Sequence, residues 1–291
     1  MATAPSPELR PPAAMTPTAA PSPAVQWLIL AGGLVAAIGW VLLGQHLGGK
    51  ITIASAGPAL TVYYALLFLP LIALALGLGM ASRLRVVRAG TSPLRWAAIG
   101  GLLGLGGLAT TLAYAWLNGG VLKGPAAGTG TALLLLGLGL TLVQVFAEEV
   151  LFRGWLQPAL IVRTGAMPGV LLGALLFGAF HLTAGVREPL SLLNLGLGGV
   201  WFGLLALRSG GIVASLAAHF CWNALEDLGF GLVPNPGTGE LGAVANLDLT
   251  GAPLWGATAE GLNASIGTTV VLVALILPLV LSARRTPVPA R

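Results

Sequence analysis

The sequence predicts an all-α, polytopic membrane helix bundle of about eight transmembrane helices, and three observations carry that prediction. The 291 residues are 56% hydrophobic and only 8% charged, with a mean hydropathy of +0.91, whereas about a quarter of a water-soluble domain is charged. Long charge-free apolar runs recur along the chain, each near the roughly 20 residues with which a helix crosses a hydrocarbon core of about 30 Å. Glycines are spread through these runs, as at Gly100, Gly104 and Gly107 or Gly196, Gly199 and Gly203. Such residues weaken helices in water but permit close helix packing in lipid.

Residues 1–23 are rich in Ala, Pro, Thr and Ser and lack the basic region and short apolar core of a secretory signal, so they are expected to form a disordered tail. One integral membrane domain is expected over 24–285, followed by a C-terminal tail at 286–291. Its spans fall near 24–44, 59–81, 96–117, 131–162, 167–186, 189–207, 210–229 and 264–283. Trp27, Trp40, Trp96 and Trp116 lie near span ends, where amphipathic rings favour the headgroup region. Arg83, Arg85, Arg88 and Arg95 cluster after the second span and mark that side as cytoplasmic. Alternation then puts Arg163, Arg208, Arg284, Arg285 and both termini inside. The long segment 230–263, with Glu240, Asp248 and Glu260, lies outside and reads as irregular.

Several functional classes drop out. The 14 basic residues are scattered and form no basic face with interleaved aromatics, so no nucleic-acid partner is expected. Cys221 is the only cysteine, which removes disulfides and CxxC metal sites. The glycines of 101–107 form no complete GxGxxG after a strand.

An ionisable side chain at the centre of a span costs roughly 2.5–3.5 kcal/mol, so each one needs a reason. They concentrate in three segments: Glu148, Glu149 and Arg153; His181; and His219 with Asn223. Glu149 and Arg153 stand four apart on one helical face and can pair, whereas Glu148 points about 100° away and is free to face a cavity. His219 and Asn223 have the same spacing. Counted from the inner ends of their spans at about 1.5 Å per residue, Glu149, His181 and His219 lie about 21, 21 and 16 Å deep, compatible with one layer. A carboxylate and two imidazoles can deprotonate a water for attack on a carbonyl. The same set can bind Zn2+, which lowers the pKa of bound water, so metal-free and metal-dependent chemistry both stay open. Asn223 can serve an oxyanion, and Arg153 is expected to hold Glu149. Glu226 and Asp227, near the outer end of their span, are expected in solvent, as are Arg187 and Glu188.

The Glu-Glu-x-x-x-Arg of 148–153, the Phe-x-x-x-His of 177–181 and the His-x-x-x-Asn of 219–223 follow in that order on successive helices. Together they resemble the CPBP family, the type II CAAX prenyl endopeptidases and their bacterial relatives, also called the Abi family. The likeness covers about 140–228, within a motif-bearing core at 131–229. It implies an intramembrane endopeptidase of the bacterial cell membrane acting on a peptide or protein substrate, membrane-anchored in the prenyl-protein case. In that reading Glu148 activates water, His181 and His219 position it or a metal, Asn223 assists at the oxyanion, and Glu149 and Arg153 support the site. Substrate identity does not carry over, because bacterial relatives are linked to bacteriocin processing and self-immunity. The alternative is a non-catalytic membrane scaffold or bacteriocin-immunity factor. A proton-coupled transporter is disfavoured, since the other spans hold no carboxylate relay. Oligomeric state is not encoded in any pattern here.

Overall fold

A computed structural model describes residues 22–124, 130–232 and 239–283. The expected tails at 1–23 and 286–291, with Arg284 and Arg285, lie outside the described residues apart from Ser22 and Pro23. The chain forms α1 (Pro23–Gly48), α2 (Ala56–Ser82), α3 (Pro93–Leu117), β1 (Val121–Lys123), α4 (Thr131–Glu149), α5 (Gln157–Thr164), α6 (Ala166–Phe180), α7 (Pro189–Ser209), α8 (Val213–Ala224), β2 (Leu247–Leu249) and α9 (Ile266–Ala283). α4 and α5 are one rod joined by a π-helical turn at Val150–Leu156. The eight rods correspond to the eight expected spans.

Among the described residues, six of these rods are long and apolar enough to cross a membrane, and α9 is a shorter apolar helix. Their outward faces carry large apolar side chains such as Leu28, Met80, Leu94 and Leu117, which are 72–86% exposed. An apolar surface of that extent is stable only against lipid. The chain is a multi-pass integral membrane protein.

Local sequence sets the ends of the rods. Prolines occupy the first turns of α1, α3 and α7, where a missing N–H costs nothing. Gly165 between α5 and α6, and Gly210 between α7 and α8, take positive φ values of 92° and 74°, which residues with a Cβ rarely adopt. α3 and α8 touch backbone to backbone, since a Cβ placed on Gly100 or Gly104 would run into the carbonyl oxygens of Ala214 and Ala218. The glycine stripe read from the sequence thus seats the helix that carries His219 and Asn223.

Two apolar clusters form. One gathers α1, α2 and the α4–α5 rod around Tyr64, Phe68 and Trp155. The other gathers α3, α7, α8 and α9 around Trp201, Phe202 and Trp222. At one face, the segment after α2 clasps the α7–α8 turn through Thr91 N–H to Ser209 O (2.8 Å) and Ile212 N–H to Arg88 O (2.9 Å). At the other face β1 pairs antiparallel with β2, Val121 opposite Leu249. The segment expected to be irregular therefore contains a strand and 3-10 turns at Gly239–Leu241, Pro253–Trp255 and Gly261–Ala264. Of the expected interfacial tryptophans, Trp27 and Trp116 are exposed, whereas Trp40 donates from Nε1 to Leu67 O (3.2 Å) and Trp96 packs on the second cluster.

Candidate active site

The rod α4–α5 brings the acidic pair into the centre of the bundle. The π turn that follows Glu149 is buried along its whole length. Such a turn widens the helix locally and commonly marks functional sites. Glu149, fully enclosed, receives two charge-assisted hydrogen bonds on one oxygen, from Arg153 Nη1 at 3.0 Å and from His219 Nδ1 at 3.0 Å. Arg153 also donates from Nη2 to Gly199 O (3.3 Å) and lies with its guanidinium carbon 4.2 Å from the centre of the Phe177 ring. The cation is thereby held by a carboxylate, a carbonyl and an aromatic face.

His219 stands between the two glutamates. A carboxylate only accepts, so the contact with Glu149 places the proton on Nδ1. Nε2 is then turned toward Glu148, 3.8 Å from its Oε2, a separation too long for a direct hydrogen bond. The ring stacks on Phe202 at 4.6 Å and 19°, which fixes its plane. His181 begins a 3-10 turn at the end of α6. Its Nδ1 meets Phe177 O at 2.8 Å, so the carbonyl sets the same tautomer and leaves Nε2 as an acceptor.

Glu148, His181, His219 and Asn223 line one cavity with about 600 Å³ of empty space. All four proposed catalytic positions from the sequence are therefore brought together, and the two supporting residues sit directly behind them. A second, more apolar cavity, walled by Val41, Leu67, Phe68, Leu71 and Leu151, reaches Glu148 and His181 from the α1–α2 side. The two cavities share those two residues.

Residues 130–225 match the family model for Rce1-like type II CAAX prenyl endopeptidases, about a third of the chain. The motif-bearing segment is Rce1-like. No curated protein matches the chain. The type II CAAX prenyl endopeptidases are a protease family, and the Rce1-like segment contains Glu148, Glu149, Arg153, His181, His219 and Asn223.

Sequence reasoning missed part of the site. Gln144, one turn before Glu148, donates to its Oε1 at 3.3 Å; a lone amide four residues upstream in an apolar run was the available signal. Glu226 and Asp227 are not in solvent but 2% and 3% exposed, in a second π turn at Leu225–Gly229, and Glu226 faces the cavity. The spans read correctly, but the closing segment 239–265 that covers this end is a non-local arrangement with no sequence signature. Asn194 ties it down, donating to Asn263 O (2.8 Å) and Ser265 O (2.9 Å) and accepting from Thr269 Oγ1 (2.7 Å).

Zn2+ was left open by the sequence. Among the described residues, no three His, Cys, Asp or Glu side chains are grouped so as to hold a metal ion. The described residues as arranged do not build a metal centre on their own.

Proposed function

We propose that the protein is an intramembrane endopeptidase that hydrolyses a peptide bond with a water activated by Glu148. The observation that carries the reading is a pair of acceptors, Glu148 Oε2 and His219 Nε2, 3.8 Å apart and open to one cavity. Two acceptors facing the same space are satisfied by a molecule with two donors, and water is the smallest.

In the first step the Glu148 carboxylate takes a proton from that water while its oxygen attacks the substrate carbonyl. The nascent oxyanion accepts from the Asn223 amide, and His181 Nε2 accepts from the water or from a backbone N–H of the substrate. The tetrahedral intermediate then collapses, the C–N bond breaks, and Glu148 returns the proton to the departing amine. Glu149 does not react. It holds the His219 tautomer, and Arg153 is its ion-pair partner. The apolar second cavity suits a substrate with an apolar portion next to the cleaved bond. With the arginine-rich loop inside, both termini are cytoplasmic and the site, about 16–21 Å from the inner ends of its helices, lies at or just beyond the middle of a core of about 30 Å.

The test compares wild type with Glu148→Ala in detergent against a mixed peptide library that includes farnesylated C-terminal peptides, with products read by mass spectrometry. Cleavage by wild type alone supports the reading, and cleavage by clean Glu148→Ala refutes it. A chelator arm separates a metal-free water, whose turnover survives chelation, from Zn2+ chemistry, whose turnover is lost. If neither protein cleaves any peptide while a biological phenotype persists in Glu148→Ala, a scaffold or immunity role stands instead.

A further inference from the structure

α8 and the π turn that continues it carry more than the motif. His219, Asn223 and Glu226 follow at i, i+4 and i+7 and all line the cavity, so a polar stripe runs along the inner face of this rod. Glu226 lies about 10 Å further along the helix than His219, at about 1.5 Å per residue. Its carboxylate accepts from the side chain of Trp222 and, among the described residues, meets no cation in the cavity, since no Lys or Arg of theirs lines it. Arg153, on the α4–α5 rod, is bound to Glu149 and Gly199 O. The amide of Asn194, on the facing helix, is engaged by the closing segment. In the same wall Trp201, fully buried, has an indole N–H with no hydrogen-bond partner among the described residues. A buried carboxylate without a cation and a buried donor without an acceptor are both costly. A peptide supplies both missing groups: a cationic side chain and backbone carbonyls.

Resting on the protease reading above, we propose that Glu226 is the specificity-determining residue of the site and takes the Lys or Arg side chain of a substrate residue about three positions from the cleaved bond. The distance fits, because an extended peptide advances about 3.3 Å per residue and three residues span about 10 Å. The Trp201 N–H receives a backbone carbonyl of the same stretch. An acidic side chain at that position meets like charge in a medium of low dielectric and is rejected.

The test uses the purified full chain and peptides identical except at the position three residues from the cleaved bond, on each side in turn, carrying Lys, norleucine or Glu. Wild type is expected to favour Lys over norleucine by about tenfold in kcat/KM and to disfavour Glu by a similar factor. In the isosteric Glu226→Gln the Lys-to-norleucine ratio falls to about one. Loss of packing alone would lower both rates and leave their ratio. A flat wild-type profile, or a preference that survives Glu226→Gln, overturns the assignment while leaving the protease reading intact. If wild type cleaves nothing, binding of the same fluorescent peptides to Glu148→Ala decides. Tighter binding of the Lys peptide that disappears in the Glu148→Ala, Glu226→Gln double variant upholds the subsite without hydrolysis; equal binding overturns it.

Discussion

His219 Nδ1 lies 3.0 Å from Glu149 Oε1. This bond joins two of the three motif-bearing rods and gives the adjacent glutamates different surroundings. Glu149→Ala leaves Arg153 as an unpaired charge in the interior, which costs about 3–5 kcal/mol, and frees His219 to rotate. Glu148→Gln keeps its shape at the cavity wall and is expected to change stability by less than about 1 kcal/mol while lowering hydrolysis by about 10²–10⁴-fold. Thermal unfolding in detergent beside turnover checks both; equal destabilisation by the two variants would remove the distinction.

Arg153→Lys tests the cation. The guanidinium serves Glu149, Gly199 O and the Phe177 face at once, and a single ammonium reproduces the charge but not that fan of contacts. A loss of about 1–3 kcal/mol with reduced turnover is expected. Wild-type stability in Arg153→Lys would show that charge alone matters.

Close contact of α3 with α8 predicts a contrast between neighbouring glycines. Gly104→Ala forces a methyl into the Ala218 backbone, one residue before His219, whereas a methyl on Gly106 meets nothing within 4 Å. Gly104→Ala is expected to cost about 1–3 kcal/mol and to impair turnover. Gly106→Ala is expected to be neutral or stabilising by about 0.5–1 kcal/mol. Unfolding curves of the two variants, recorded side by side, give the answer.

Glu260 pins the closing segment to the start of α7, accepting from the N–H of Arg187 at 2.7 Å and of Glu188 at 3.1 Å. Partial burial opposes its charge, but these amides outweigh it, together with the Ser191 hydroxyl that faces it without a completed hydrogen bond. The carboxyl is held below its ordinary 4.5. A depressed carboxylate stabilises the folded state fully above the unfolded value and loses that contribution as pH falls through the folded one. Hydrogen exchange at the Arg187 and Glu188 amides is therefore expected to match between wild type and Glu260→Gln only in acid. Above pH 4.5 the wild type is the slower of the two. Identical rates at neutral pH would contradict the pin.

Hydropathy made the rods legible because lipid leaves no alternative: every backbone group in a span must bond within its own helix. The order of Glu148, His181 and His219 was equally legible, since a charge in an apolar run stands out. What failed was any inference needing depth from local sequence alone. Glu226 and Asp227 look like a solvated helix end, yet the segment containing Asn263 and Thr268 folds over them from about forty residues away. The pairing of Val121 with Leu249 has the same non-local origin.

The π turn at Val150–Leu156 makes it a matter of phase which glutamate faces the cavity. Each residue turns a helix by about 100°, and Glu148 and Glu149 differ by one residue. Deleting a single residue from this turn would tighten it to α-helix and rotate everything upstream by about that angle, presenting a different side chain to the cavity without altering any functional group. Two chemically identical acids thus come to face opposite surroundings, one a cavity and the other an arginine, through the winding of a single turn.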